Sequence, residues 1–454
     1  MIWSAAVSWT GAARAAAVEI DTRTPDRRDR YTDLVRVLAI IAVVYGHWIA
    51  AVIFVDDGRL VASQILAVEP WTQVATWFWQ VMPLFFLVGG RVNAASLRRA
   101  HLRGDTSTTW VRRRSRRLLR PLLPLLAVWL PMGPLLVWFG VSPGLVELAT
   151  ETAFIPLWFL VVYVLVVTLT PTTLWLHHRG AYAVLLLAVG LVAVIDVLDG
   201  VGVPLVAHAN YVLVFGIAHQ LGYLWLDDKL PRGARGLHLL WSGLLVALLL
   251  VTLLDYPVSM VGVHGDEASN ATPPTLALVA LTTMQLGGVL AARRPVEAWL
   301  RRHAVSWATV ATVGAAIITV FLWHMTALII AASLTHFTGW WPRLTSVDAQ
   351  WWAMRPVWLL VCTIALVPLV LLFRGFERAG DPVPRGPGVT ITGVVATAVG
   401  LGIIQTTGLY DADRALGLPP AGVVLLLAGL VLLGVHHREP ADVSGRPASD
   451  HGGA

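Results

Sequence analysis

The sequence is poor in charged residues and in cysteine, and each shortage excludes a class of protein. Charged residues make up 13% of the 454 residues, well below the roughly 25% of an ordinary soluble domain. Hydrophobic residues reach 57%, and the mean hydropathy is +0.70. This composition excludes a cytosolic globular enzyme. Because Cys362 is the single cysteine, a disulfide framework and a cysteine-based zinc or iron–sulfur site are also excluded.

Lysine is almost absent as well. All but one of the 33 basic residues are arginine, and the exception, Lys229, does not follow a glycine-rich loop. A phosphate-binding Walker loop needs such a lysine, so ATP-driven transport is disfavoured. No histidine has the spacing of a metal ligand relative to acidic partners. We therefore expect no metal, no bound cofactor and no nucleic-acid partner.

Apolar runs long enough to cross a bilayer fill most of the chain. A span of about 30 Å of hydrocarbon needs roughly 20 helical residues, and this criterion yields about twelve candidate helices. The sequence thus predicts an all-α, polytopic bundle of transmembrane helices. The predicted spans are 34–55, 72–90, 118–139, 155–173, 181–198, 204–226, 237–255, 275–292, 308–334, 355–373, 389–408 and 420–436.

The charges of the loops predict the orientation, because lysine and arginine gather on the cytoplasmic side. Ten arginines lie within residues 91–120, between the second and third spans. The alternate connections carry acidic residues instead, at Asp56 and Asp57, Glu147 and Glu151, Asp196 and Asp199, Asp266 and Glu267, and Asp411 and Asp413. Both termini are therefore expected in the cytoplasm. Residues 1–30 and 437–454 are expected to be a disordered leader and tail.

The first span contains two ionisable residues, Arg36 and His47, at positions where charge is costly. They are eleven residues apart, a separation that places them on one face of a helix and about 16 Å apart along its axis. A cation at the membrane edge and a base near the midplane suit an acyl-coenzyme A thioester. The alternative is structural, with Arg36 snorkelling beside Asp33 and His47 hydrogen-bonded inside the bundle.

Two other groups are candidates for the same site. His324 also lies near the middle of its span, although a core histidine hydrogen-bonded to a neighbouring carbonyl or to Thr326 is the simpler interpretation. Arg117 and Arg120 are the last cations before the third apolar run. Three residues apart on a helix, they face one way and suit a phosphate. Anchoring to anionic membrane lipid is the alternative for this arginine-rich segment.

Several short motifs resemble the acyltransferase-3 family of integral membrane acyltransferases. Arg36 and His47 are similar to the family's Arg-x10-His opening. The other resemblances are carried by Pro83-Leu-Phe-Phe-Leu-Val-Gly89-Gly90, by Arg117-Leu-Leu-Arg120-Pro-Leu-Leu-Pro124, by Pro156-Leu-Trp158-Phe159-Leu and by Phe321-Leu-Trp-His324. Val88 stands where the family usually has serine. The resemblance covers about residues 28–375.

The resemblance implies a membrane acyltransferase domain over 31–375, followed by two additional transmembrane helices within 376–436. It implies transfer of an acyl group, commonly acetyl from acetyl-CoA, to a hydroxyl of a glycan, lipid-linked sugar or glycosylated metabolite. Acyl-CoA is then a co-substrate, and the plasma membrane is the expected location. His47 would have the central catalytic role with His324 as a second candidate, and Arg36, Arg117 and Arg120 would bind the coenzyme A end.

The residues leave the mechanism and the function class open. His47 suits a general base that removes the acceptor proton, and it equally suits a covalent acyl-histidine intermediate. A twelve-helix secondary transporter is the alternative function, with Arg36, His47 and His324 as substrate or proton-relay groups. A purely structural membrane protein is the third possible function.

Overall fold

The protein is helical along nearly its whole length. The computed structural model describes residues 2–56, 59–263, 268–339, 341–342, 345–377, 385–414 and 417–435. The α-helices are α1 (Ile2–Thr22), α2 (Arg30–Ala50), α3 (Ile65–Val68), α4 (Thr76–Trp79), α5 (Met82–Leu102), α6 (Ser107–Leu119), α7 (Leu122–Trp138), α8 (Pro143–Phe154), α9 (Leu157–Gly200), α10 (Pro204–Ala207), α11 (Asn210–Leu226), α12 (Gly236–Leu253), α13 (Leu276–Arg302), α14 (Ala304–Ala315), α15 (Ile317–Phe337), α16 (Ala349–Phe373), α17 (Pro387–Thr407) and α18 (Pro420–Leu433).

The helices confirm a multi-pass membrane protein, but they do not confirm twelve spans. Within the described residues, 7 helices are long and apolar enough to cross a membrane, or 8 if the bent pair of α6 and α7 is one span. The number of helices that meet the criterion is below twelve because some predicted spans are short or broken. For example, α11 has 17 residues and α18 has 14, fewer than the roughly 20 that a straight crossing requires.

The first predicted span, 34–55, is too long at its carboxyl end. Helix α2 ends at Ala50, and the next residues form β1 (Ala51–Asp56), which pairs antiparallel with β2 (Arg59–Gln64). The run Val52-Ile-Phe-Val55 is apolar, but β-branched and aromatic side chains favour strands. A hydropathy criterion does not distinguish such a strand from the end of a helix.

The second predicted span, 72–90, is broken. A 3₁₀ helix (Pro70–Ala75) and the single turn α4 precede α5, which begins at Met82 with Pro83 in its first turn, where the missing N–H costs nothing. Backbone groups of the break are hydrogen-bonded within the protein: Gln285 Nε2 donates to Gln80 O, and Met82 N donates to Gln80 Oε1. Irregular backbone is tolerated at membrane depth when it is satisfied in this way.

Other predicted spans bend or join. α6 and α7 are inclined by 45°, with Arg120 and Pro121 at the bend. The two predicted spans 155–173 and 181–198 both lie in α9, whose backbone leaves helical geometry at Gly180. The predicted span 308–334 is divided between α14 and α15 by the non-helical Ala316.

The amino-terminal segment, expected to be disordered over 1–30, instead contains α1. This helix packs against α14, and Trp307 Nε1 donates to Thr24 Oγ1 over 2.8 Å. Arg30 follows with an ion pair to Asp21 and a position over the Trp307 ring. These contacts between aromatic and charged side chains supply the order that the composition of the segment does not suggest. The expected disordered tail, 437–454, lies outside the described residues.

The two carboxyl-terminal helices, predicted at 389–408 and 420–436, pack closely on each other and on the rest of the protein. A Cβ atom at Gly400 would lie 2.4 Å from Leu426 N, and one at Gly429 would lie 2.5 Å from Thr397 N. Small residues at such positions allow close helix approach in membranes. Helix α17 also contacts α9 and α6, so this hairpin is continuous with the core.

Candidate functional site

The structure brings the two histidines of the sequence prediction into contact. His47 Nδ1 lies 2.8 Å from His324 Nε2, and the two ring planes are within 11° of each other. His47 stands in the last turn of α2 and is part-buried, whereas His324 is completely buried in α15. The second histidine is thus hidden behind the first.

The hydrogen bonds define which ring nitrogen carries each proton. His324 Nδ1 lies 2.5 Å from the carbonyl oxygen of Phe321, which only accepts, so this nitrogen carries a hydrogen. A neutral imidazole has one N–H group, and burial favours the neutral form. His324 Nε2 therefore accepts, and His47 Nδ1 donates to it. The remaining nitrogen, His47 Nε2, keeps its lone pair and has no hydrogen-bond partner among the described residues.

Hydrogen bonds from neighbouring tryptophans hold the end of α2 in place. Trp48 Nε1 donates to the backbone oxygen of His324 over 3.0 Å, and Trp358 Nε1 donates to Trp48 O over 2.9 Å. Tyr45 is bonded to Thr363 on α16. These contacts tie α2 to α15 and α16 on both sides of His47, which fixes the separation of the two imidazoles.

Trp79 lies directly beside the residue that precedes His47. A Cβ atom at Gly46 would be 2.4 Å from Trp79 Cδ1, so only glycine permits this contact. The indole is 36% exposed. The broken segment before α5 therefore places a large aromatic ring against Gly46, at the end of α2 away from Arg36.

Aromatic residues of the short motifs meet between α5, α9 and α15. Phe159 has its ring centroid 5.0 Å from that of Phe85 and 5.0 Å from that of Phe321. Tyr163 packs on Phe85 and on its neighbour Phe86 in α5. The ring centroid of Phe321 lies 5.8 Å from that of His324. Three motifs that are far apart in the sequence thus form one cluster beside the histidine pair.

The other end of this aromatic cluster reaches a group of arginines. Arg36 lies within electrostatic range of Tyr163 and of Arg114, and Arg114 lies within range of Arg117. Asp33 is 3.5 Å from Arg36. The cations exceed the acids that face them, so this group, which we call the arginine cluster (Arg36, Arg114 and Arg117), favours an anion.

Glu377 joins the arginine cluster to the helix that carries His324. Its carboxylate accepts from Thr319 N and Thr319 Oγ1, each over 2.7 Å. Thr319 is in the first turn of α15, where unpaired N–H groups and the helix dipole favour a negative charge. Arg36 and Arg117 both lie within electrostatic range of the same carboxylate.

The arginines expected at the donor end differ in their surroundings. Arg36 and Arg117 belong to the arginine cluster, and Arg117 is exposed. Arg120 is buried at the bend between α6 and α7, so the two arginines of the Arg-x-x-Arg motif do not share one environment. Arg114 was missed by the sequence reasoning. Its position three residues before Arg117, on the same helical face, was the available signal.

Asp29 holds the beginning of α2. Its side chain accepts from Thr32 N as the helix N-cap and pairs with Arg91 at 2.9 Å and Arg293 at 3.0 Å. Burial opposes the charge of this carboxylate, but the hydrogen bond from Thr32 and the two guanidinium charges outweigh burial and lower its pKa. An ionised N-cap therefore fixes the start of the helix that carries both Arg36 and His47.

Comparison with known proteins identifies the family. The acyltransferase-3 family model, described as an acyltransferase domain, matches residues 29–375. No curated protein and no solved structure shows a significant match to the chain. The matched region begins at the N-cap of α2, ends just after α16, and contains the histidine pair and the arginine cluster. The chain therefore belongs to the acyltransferase-3 family of membrane acyltransferases.

Proposed function

We propose that the protein moves an acyl group, most simply acetyl, from acyl-CoA to a hydroxyl of a glycan, lipid-linked sugar or glycosylated metabolite. The observation that carries the proposal is the hydrogen-bonded chain from Phe321 through His324 to His47. It leaves the lone pair of His47 Nε2 available in a part-buried site. An imidazole held in this form is suited to accept a proton from an alcohol.

In the proposed reaction, His47 carries the proton from the acceptor hydroxyl to the leaving thiolate. His47 Nε2 takes the hydroxyl proton while the acceptor oxygen attacks the thioester carbonyl carbon. The carbon–sulfur bond then breaks, and the leaving thiolate takes the proton from His47. His324 is a positioning residue, because it accepts from His47 Nδ1–H and so stabilises the ring as charge develops on it.

The arginine cluster is the proposed site for the phosphates of the donor. Guanidinium groups bind phosphate oxygens through charge-assisted hydrogen bonds, and Arg36 lies about 16 Å along α2 from His47. The aromatic cluster connects the two positions, which suits the long arm between the phosphates and the thioester. Arg120 is buried at the bend outside this cluster, and it is included in the proposed donor site only because the Arg-x-x-Arg motif resembles that of the family.

The sidedness of the protein is part of the proposal. Coenzyme A esters are cytoplasmic, so the arginine cluster is placed at the cytoplasmic face of the plasma membrane. Both termini are placed in the cytoplasm as well. Single cysteines at Arg103 and at Glu147, in a Cys362→Ala background, test this. The Glu147 position is expected to react with an impermeant thiol reagent in intact cells and the Arg103 position only after lysis. The reverse pattern contradicts the placement.

The transfer reaction is tested with labelled acetyl-CoA and membranes that contain the protein or lack it. Incorporation of label into a hydroxyl-bearing acceptor is expected with the wild type and lost with His47→Gln. The matched control is His238→Gln, at an exposed position of α12. Folded yield is measured for every variant. A folded His47→Gln protein with normal transfer contradicts the assignment of His47. No observation in the described part of the chain supports the transporter alternative.

A further inference from the structure

A cavity of about 270 Å³ opens between the loop that follows α11 and the second half of α13. It shares no residue with the histidine pair or the arginine cluster. Its lining includes Trp225 at the end of α11, Arg232 in the loop, and Arg293 and Arg294 on α13. The site already described does not use this cavity.

The cavity has an excess of positive charge. Arg293 and its neighbour Arg91 lie over the Trp225 ring, with the guanidinium carbon of Arg91 4.6 Å from the ring centroid. Asp29 is shared between these two arginines, so one carboxylate faces two guanidinium groups. Arg294 has no ion pair or hydrogen bond among the described residues.

The remaining acid of the cavity does not neutralise it. Asp228 pairs with Arg232 at 2.9 Å, and both side chains are mostly exposed, at 64% and 62%. An ion pair in water contributes little and is readily exchanged for another partner. Arg232 is therefore available to a stronger anion.

A buried tryptophan ring supports the arginines of the cavity. Trp225 is 2% exposed, and its ring lies under Arg91 and Arg293. Its Nε1 is enclosed by protein atoms, so the N–H does not reach a ligand in the cavity. The cations that line the cavity are guanidinium groups, and the ligand that fits them is an anionic oxygen.

We propose that this cavity binds a phosphate group, with Arg232, Arg293 and Arg294 as its ligands. Phosphate offers several oxygens to planar guanidinium groups, and basic pockets between transmembrane helices bind lipid headgroups. A phospholipid headgroup and a soluble phosphate present the same chemistry here. The site is separate from the proposed donor site and does not depend on its assignment.

The test compares phosphate probes on the whole protein. One arm titrates inorganic phosphate against lipid-free detergent-solubilised protein, with chloride at matched ionic strength as the reference. The other arm compares nanodiscs of phosphatidylcholine with nanodiscs that also contain phosphatidylglycerol. The thermal midpoint is the readout. The test variant combines Arg232→Gln with Arg294→Gln. Arg302→Gln, an exposed cation at the end of α13, is the matched control.

We expect either probe to raise the thermal midpoint of the wild type. The double glutamine variant is expected to need about tenfold more probe for the same rise, because charge-assisted hydrogen bonds are lost. Arg302→Gln is expected to leave the response unchanged. A response to phosphate alone assigns a soluble ligand, and a response confined to phosphatidylglycerol assigns a lipid. The proposal is overturned if neither probe stabilises the wild type, or if Arg302→Gln loses as much as the double variant.

Discussion

The contact between the two imidazoles can be tested by replacing His324 with residues that keep one of its two hydrogen bonds. The side-chain amide of asparagine occupies the position of the histidine Nδ1, so His324→Asn keeps the bond to Phe321 O and loses the acceptor for His47. Glutamine reaches the position of Nε2, so His324→Gln keeps an acceptor for His47 Nδ1–H and loses the bond to Phe321. Alanine loses both.

The size of the effect follows from the burial of His324 and from the charge that His47 gains. A hydrogen bond to a charged group contributes roughly 1.5–3 kcal/mol, which corresponds to about 10- to 150-fold in rate. Because His324 is completely buried, water does not easily replace the lost acceptor. We therefore expect His324→Ala and His324→Asn to lower kcat by about 10- to 150-fold, and His324→Gln to remain within about tenfold of the wild type.

The assay is acetyl transfer at saturating donor, with folded yield and the KM for acetyl-CoA measured alongside. The KM is expected to be unchanged, since the arginine cluster lies about three helical turns away. Adding His324→Ala to His47→Ala is expected to cause no further loss, because residues that act as a unit are not additive. The reasoning is refuted if His324→Asn is as active as His324→Gln, the result expected of a residue that only stabilises α15.

Three further predictions concern positions around the site. Arg114→Ala is expected to raise the KM for acetyl-CoA about tenfold. Arg113→Ala, which loses a half-buried pair with Asp105, is expected to leave the KM unchanged, and equal KM values for both variants contradict the arginine cluster. Gly46→Ala is expected to lower the free energy of unfolding by roughly 1–3 kcal/mol through overpacking against Trp79. The double variant Gly46→Ala with Trp79→Ala is expected to recover the thermal midpoint. A Gly46→Ala protein as stable as the wild type contradicts the contact. Asp29→Asn is expected to lower stability at neutral pH by roughly 1.5–3 kcal/mol. Because the folded pKa of Asp29 is lowered, its contribution is complete above the ordinary pKa of about 3.9 and is lost as the pH falls through the folded value, so the deficit must shrink in acid denaturation curves below about pH 4.

Much of the helical layout is predictable because an apolar run must reach a certain length to cross a membrane. The predicted span 389–408 corresponds to Pro387–Thr407, and 237–255 corresponds to Gly236–Leu253. Length and hydropathy do not identify where a run stops being helical. The strand Ala51–Asp56 continues the apolar run of α2. β-branched residues such as Val43 and Val44 also occur in the helix, so local composition does not mark the boundary.

The sequence also places Arg36 and His47 on one helix, because that relation depends on the helical repeat alone. It does not show that His324 contacts His47, since the two residues are 277 positions apart and their contact depends on how α2 packs against α15. The same holds for Glu377, whose partners Thr319 and Arg36 lie on other helices. Contacts of this kind come from tertiary packing and leave no periodic pattern in the sequence.

The carboxylate of Glu377 lies just beyond the region that matches the family, 29–375. The contacts of the family region therefore extend beyond its carboxyl-terminal boundary. A chain truncated at residue 375 would lose the acceptor for the first turn of α15, and the loss of α17 would expose apolar surface of α9 and α6. The region that matches the family and the residues that complete its contacts thus have different boundaries, so a truncated protein made to dissect the activity should keep the carboxyl-terminal hairpin.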